Sequence, residues 1–263
     1  MKNLAFLFIA ALLAAIAEPA AAEYRRFETR KGVTVPTVII APDNPKAVAV
    51  LFAGGSGTIG IWPDGGIRRG GNFLVASRKK FANNGIVAVV IDAPSDQTEG
   101  GTLMEDQFRE SHEHVQDISS IVAALRKTYG LPVWLIGTSR GSTSVTHAAI
   151  KLQADGPGRP DGIVLTSGIS EENRRGGNLL GMNLSAVRVP ALVIHHVKDG
   201  CHVTPIFGAS RIRDGLTGAE PRALIEIRGG KTKGNVCGPK SHHGFFGQRE
   251  KVVKKIAQWI TTH

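Results

Sequence analysis

The sequence predicts an α/β domain built on a mostly parallel sheet, and three observations carry that prediction. Short apolar, β-branched runs recur along the chain, amphipathic helical patterns lie between them, and several runs end in glycine-rich turns. The first elements are a weak hairpin, Arg26 to Thr29 followed by Val33 to Ile40. The run at 47–53 (AVAVLFA) comes next and stops at Gly54-Gly55. Further runs follow at Ile86 to Asp92, Val133 to Gly137, Ile163 to Ser167, Ala191 to Val197 and Ala223 to Ile227. These runs are nearly continuous rather than alternating, which is the pattern of strands covered on both faces. Between them, Val115, Ile118, Ile121, Val122 and Leu125 recur at helical spacing. Near the end, Val252, Val253, Ile256, Trp259 and Ile260 form one stripe, with Lys251, Lys254 and Lys255 off it. Alternation of this kind implies right-handed crossovers in one sheet. No Pro- or Ser-rich linker interrupts residues 23–263, so one domain is expected there.

Composition narrows the class. The 263 residues carry 32 Lys+Arg against 22 Asp+Glu, a formal charge of +10, with 42% hydrophobic and 21% charged residues. That balance excludes a disordered chain. The 32 Gly and 13 Pro have no period of three, which excludes collagen, and no internal repeat suggests a solenoid or propeller. Residues 1–22 read as a secretory signal. Lys2 precedes 14 apolar residues from Leu4 to Ala17, too short a run to span a ~30 Å hydrocarbon core. Small residues Ala20-Ala21-Ala22 then offer a cleavage site after Ala22. A periplasmic or secreted product is expected, without stable membrane insertion. The basic residues are scattered in pairs such as Arg68-Arg69, Lys79-Lys80 and Lys254-Lys255, without interleaved aromatics, so no nucleic-acid partner is expected. In an oxidising compartment, Cys201 and Cys237 predict a disulfide rather than a metal site.

Parallel sheets present their functional groups at the carboxyl ends of the strands. After Val133-Trp134-Leu135-Ile136 the chain reads Gly137-Thr138-Ser139-Arg140-Gly141, and a helical stretch follows. This is GxSxG in a strand-turn-helix setting, where a strained turn lifts the serine hydroxyl clear of the sheet. A serine needs a base, and the base an orienting acid. Asp199 follows the run Ala191 to Val197 and is the candidate acid, with Glu171 and Glu172 as the fallback. The candidate base lies in Ser241-His242-His243-Gly244-Phe245, before the last helix.

In the strand-turn-helix GxSxG, the order Ser139, Asp199, His243 and the strand count, the chain resembles the α/β-hydrolase superfamily. The resemblance covers nearly all of residues 23–263 and implies an eight-stranded, mostly parallel sheet flanked by helices. It implies a catalytic triad of Ser139, Asp199 and His243, with His243 preferred to His242 because Gly244-Phe245 follows it. It also implies an oxyanion hole from backbone N–H groups of Arg140 and Gly55, with Ala53 where such enzymes often carry histidine. Gly54 and Ser56 are the competing donors. The Gly54-Gly55-Ser56-Gly57 stretch lacks the Gly-Lys-Ser/Thr of a phosphate loop.

His195, His196, His202, His242 and His243 lie near the cysteines in sequence and raise a zinc site as a rival, yet no HExxH or CxxC spacing is present. His195 and His196 are adjacent on a strand and face opposite ways. No metal or cofactor is therefore expected. His112, His114 and His147 are expected to be surface or helix residues without a role. A bridge between Cys201 and Cys237 would tie the acid-bearing loop to the histidine-bearing loop. Only about 23 residues, Gly168 to Pro190, separate two successive strands where a cap is often inserted, so little or no cap domain is expected. The expected activity is hydrolysis of a small or extended ester or thioester through an acyl-enzyme, and the segment Gly57 to Gly71, with Trp62 and Arg68-Arg69, is either one wall of the site or a plain surface loop. A peptidase or amidase on the same scaffold, and a non-catalytic binding protein, are the alternatives. Oligomeric state is left open by the sequence.

Overall fold

In the computed structural model, which describes residues 21–98, 106–172 and 176–263, eight strands form one sheet. In chain order the elements are β1 (Ala22–Arg30), β2 (Val33–Ile40), β3 (Ala47–Phe52), α1 (Phe73–Asn83), β4 (Ile86–Ile91), α2 (Asp106–Arg109), α3 (His112–Tyr129), β5 (Val133–Thr138), α4 (Gly141–Lys151), β6 (Gly162–Thr166), β7 (Ala191–His196), α5 (Ile206–Gly215), β8 (Arg222–Ile227) and α6 (Arg249–Thr262). Across the sheet the strands run β1-β2-β4-β3-β5-β6-β7-β8. Pairing is antiparallel from β1 to β2 and from β2 to β4, and parallel from there to β8. Of the expected signal segment, residues 1–20 lie outside the described residues.

Helices cover both faces, which is why the strand sequences are apolar at every position. Val48, Val50 and Phe52 of β3 meet Ile118, Ile121 and Leu125 of α3 on one side, together with residues of α4 and α5. Ala49 and Leu51 of the same strand meet Phe73 and Leu74 of α1 and Val253 and Ile256 of α6 on the other. Strands β3 to β7 are buried throughout. One expectation needs correction here. The run Ala223 to Ile227 forms β8, but β8 is an edge strand in which only Ile227 is fully buried, because its outer side has no neighbouring strand. His114 also differs from a surface residue. It lies in α3 but is wholly buried, edge-on to Phe52, and burial together with the Arg109 guanidinium pushes its pKa well below the usual histidine value.

Helix ends follow local chemistry. Ser111 caps α3 by accepting the His114 N–H, and Gly130 closes it in the left-handed region at φ 65°. Between β6 and β7 the described residues form only short 3₁₀ turns, Leu179–Gly181 and Leu184–Ala186, and no cap domain. Among the described residues no helix is long and apolar enough to cross a membrane. The outer edge of the sheet is tied down by charge. The buried Asp117 carboxylate of α3 accepts hydrogen bonds from Thr29 and from Arg30 Nε at 2.8 Å and Nη2 at 3.0 Å, both on β1. Asp117→Ala should therefore lower stability by about 3 kcal/mol by stranding these donors. In a thermal melt that is a fall in Tm of roughly 6–12 °C.

Candidate active site

Six chain segments leave the carboxyl ends of the parallel strands and meet at one rim of the sheet. The segment after β5 carries Ser139, whose φ of 52° is one of three positive values among the described non-glycine residues. Backbone bonds hold it in this costly conformation. Its N–H donates to the Thr166 carbonyl at 3.0 Å, and its carbonyl accepts from the Ser142 N–H at 2.9 Å and the Ser142 hydroxyl at 2.5 Å. The flanking glycines have steric reasons. A Cβ on Gly137 would come within 2.4 Å of the Gly141 carbonyl, and one on Gly141 within 2.1 Å of the Phe52 carbonyl. The turn is thus pressed between its own helix and the end of β3.

The acid and the base converge from the next segments. Asp199 follows β7, and its carboxylate is fully shielded from solvent. Oδ1 accepts from the Cys201 N–H at 2.9 Å, while Oδ2 accepts from the Thr204 hydroxyl and from His243 Nδ1, both at 3.0 Å. His195 Nε2 lies 3.3 Å from the same oxygen and 2.8 Å from the Thr204 carbonyl. Burial on its own would raise the Asp199 pKa. The hydrogen bonds from His195 and His243 and the Cys201 N–H outweigh it and hold the group well below the usual carboxylate range. Because Oδ2 is an acceptor only, Nδ1 of His243 carries the proton. That proton is shared with the Thr204 oxygen at 3.1 Å, which leaves Nε2 as the lone-pair nitrogen.

It is His243, not His242, that meets the carboxylate. His242 turns away, with Nδ1 3.1 Å from the Lys198 carbonyl and its ring stacked on His196 at 4.3 Å. His196 in turn donates from Nε2 to the Gly229 carbonyl and accepts the Lys198 N–H at Nδ1, and burial lowers its pKa. The position of His243 is set by its backbone. The Ser167 hydroxyl donates to its carbonyl at 2.9 Å, and a Cβ on Gly244 would meet the Pro239 carbonyl at 2.5 Å. Phe245 then inserts beside Phe73, with ring centroids 4.9 Å apart. Glu171, the fallback acid, instead accepts from Ser170. Glu172 lines a separate depression with Gly177 and Met182.

Ser139 and His243 line one cleft of about 370 Å³, together with Gly54, Gly55 and Asn72. The glycine loop after β3 packs against the Ser139 turn so closely that a Cβ on Gly54 would lie 2.9 Å from the Thr138 carbonyl. Arg109, completely buried, fixes that loop. Its Nη2 donates to the carbonyls of Ala53 at 3.2 Å and Gly55 at 3.3 Å, and its Nη1 to the Ser144 hydroxyl of α4 at 2.9 Å. Arg140 is the residue that leads into α4, directly after Ser139. A larger concavity of about 840 Å³ lies between Thr29 and Arg30 of β1 and helices α3 and α4, but none of the residues above lines it.

Cys201 and Cys237 form a disulfide that joins the loop of Asp199 to the loop of His243, and Cys237 lines the cleft. Cys201, His202 and Cys237 are also the set of possible metal ligands among the described residues, with ligand atoms within 4.8 Å of one another. The two sulfurs are bonded to each other, so neither offers a thiolate to an ion. Thr204, His195 and Arg109 are the residues that sequence reasoning did not assign to the site. Thr204 and Arg109 act through partners 39 and 54 positions away, and His195, though only four residues from Asp199, belongs to no recognised motif.

No protein-family model matches the chain, and no curated protein matches it in sequence. Solved structures do. A cold-adapted esterase from an Arctic intertidal metagenomic library superposes with a TM-score of 0.59 at 15% identity, covering 97% of this chain and 100% of that one. A dienelactone hydrolase from Anabaena variabilis gives 0.63 at 15% identity over 94% and 99%. An esterase from Pyrococcus furiosus gives 0.64 at 10% identity over 92% and 91%. This chain therefore has the α/β-hydrolase fold.

Two consequences can be measured. Reduction of the disulfide, or Cys237→Ser, should lower stability by roughly 3–4 kcal/mol through the freed loop. An unchanged melting temperature after complete reduction would contradict that. The Asp199 carboxylate, more acidic in the folded than in the unfolded chain, stabilises the fold above the ordinary carboxylate pKa and loses that contribution in acid. The Tm gap between the wild type and Asp199→Asn should be constant above about pH 5 and narrow below about pH 4.

Proposed function

We propose that this chain, with its α/β-hydrolase fold, is an exported serine hydrolase that cleaves an ester or thioester bond through an acyl-enzyme. The observation that carries the reading is the buried His243–Asp199 hydrogen bond at 3.0 Å, with His243 on the wall of the cleft that Ser139 also lines. Ser139 attacks the substrate carbonyl while His243 Nε2 takes its proton, and the tetrahedral oxyanion lies against backbone N–H groups of Gly55 and Arg140. Collapse expels the alcohol or thiol, which receives the proton from His243. Water then attacks the acyl carbon as its proton passes to the same nitrogen, and breaking of the Ser139 Oγ–carbon bond releases the acid while His243 returns that proton to the Ser139 oxygen. Asp199 remains ionised throughout and stabilises the imidazolium from its Nδ1 side, assisted by the Thr204 hydroxyl. Fixing the Ala53 and Gly55 carbonyls on Arg109 holds the adjoining N–H groups without reorganisation during the reaction. The N-terminal apolar segment and the disulfide support an exported, oxidised location.

A fluorophosphonate probe tests the nucleophile directly. The wild type should be labelled at one serine, and Ser139→Ala should lose both label and p-nitrophenyl ester turnover, the latter by roughly 10⁴-fold or more. Labelling that persists in Ser139→Ala would assign the nucleophile elsewhere. A wild type that neither labels nor turns over esters would leave a binding protein.

A further inference from the structure

We propose that Arg69 selects substrates carrying a carboxylate, so that the natural substrate of this cleft is an anionic ester such as the half-ester of a dicarboxylic acid. The proposal deepens the serine-hydrolase reading and rests on it. Apart from the imidazole of His243, Arg69 is the only ionisable side chain other than the disulfide-bonded Cys237 among the described residues lining the cleft. Among the described residues no carboxylate lines the cleft, and none forms an ion pair with Arg69. Its guanidinium is oriented rather than neutralised. Nη1 donates to the Ser56 hydroxyl at 2.9 Å and to the Thr58 carbonyl at 3.3 Å, and both acceptors are uncharged.

The cation is also held in place by a built support. The loop that carries it folds back on itself, with Ile61 bridged to Ile67, the Arg69 N–H on the Ile59 carbonyl at 2.9 Å and the Arg68 N–H on the Gly60 carbonyl at 3.0 Å. At its base, the buried Asp92 carboxylate accepts the N–H of Ile59 at 2.8 Å and of Ile61 at 2.7 Å. Asp92 lies at the carboxyl end of β4, so the sheet itself fixes the loop. Through Ser56, the guanidinium is anchored one residue from Gly55, the proposed oxyanion donor. A charge in that position lies on the wall of the cleft that Ser139 and His243 also line. A guanidinium fork with free N–H groups binds carboxylates in two-point fashion, and a protein of net charge +10 draws anions toward it.

The experiment compares two esters of matched chain length, 4-nitrophenyl hydrogen adipate and 4-nitrophenyl hexanoate. The wild type should favour the anionic ester in kcat/KM. Arg69→Gln should lower the adipate-to-hexanoate ratio by about 10- to 100-fold, chiefly through KM, with Arg69→Lys intermediate. Raising the salt should lower the ratio in the wild type and leave it little changed in Arg69→Gln. Arg69 is exposed, so an unchanged Tm verifies that the variant is folded. A wild type that prefers hexanoate, or a ratio in Arg69→Gln within about twofold of wild type, overturns the assignment of Arg69 while leaving the hydrolase reading intact. Absence of turnover on both esters, with no fluorophosphonate label, overturns the hydrolase reading itself.

Discussion

The site is organised around one buried carboxylate. Asp199 has no access to water, so its charge must be met by donors inside the protein, and it is met from four directions. The Cys201 N–H comes from its own turn, the Thr204 hydroxyl from just before the next helix, the His195 imidazole from β7 and the His243 imidazole from across the rim. Removing any one would leave charge under-solvated in a low-dielectric setting, where the penalty is largest. That demand places a constraint on the chain well beyond the loop. The segments after β7 and β8 must hold a common geometry, and the Cys201–Cys237 bridge joins them two residues beyond Asp199 and six before His243.

The fold was legible because each strand is covered on both sides. Val48, Val50 and Phe52 face one helical layer and Ala49 and Leu51 the other, so an unbroken apolar run reads directly as a central strand. The same rule misled at Ala223 to Ile227, where a run broken by the exposed Glu226 lies at the sheet edge. Local sequence records a strand's composition but not the number of its neighbours. Within the site, residues bound to a turn geometry could be read. Gly137 and Gly141 flank Ser139 because backbone carbonyls occupy the space of their missing side chains, and Gly244 beside His243 has the same cause. Thr204, Arg109 and Asp92 could not be read, since a threonine, an arginine and an aspartate in ordinary surroundings acquire their meaning only from partners 39, 54 and 33 positions away.

Two buried ionic groups support the two sides of the cleft in opposite senses. Arg109 is a cation that gathers carbonyl oxygens, and it turns the Ala53 and Gly55 carbonyls toward itself. Asp92 is an anion that gathers N–H groups from Ile59 and Ile61. Each satisfies backbone groups of an irregular loop that no strand or helix could satisfy. The loop after β3 is consequently rigid at both ends, without regular structure between them. On the proposed mechanism the positioned N–H groups need such rigidity, because donors that must reorient during reaction lose most of their electrostatic advantage.

His195 shows how closely the acid is specified. Its Nε2 faces two acceptors, the Thr204 carbonyl and Asp199 Oδ2, so the proton resides on that nitrogen. Its Nδ1 is buried and without a partner among the described residues. A buried orphan acceptor is unfavourable, and an apolar side chain of similar size would remove it. What the imidazole supplies in return is a donor on the far side of the same oxygen that receives His243. Two imidazoles and one hydroxyl on Oδ2 leave that oxygen little freedom to rotate away, and the carboxylate plane is fixed by the Cys201 N–H on Oδ1. On the proposed mechanism the base must return to the same tautomer after every turnover. A carboxylate locked in this way returns it there, because the other neutral tautomer of His243 would place a lone pair against Oδ2.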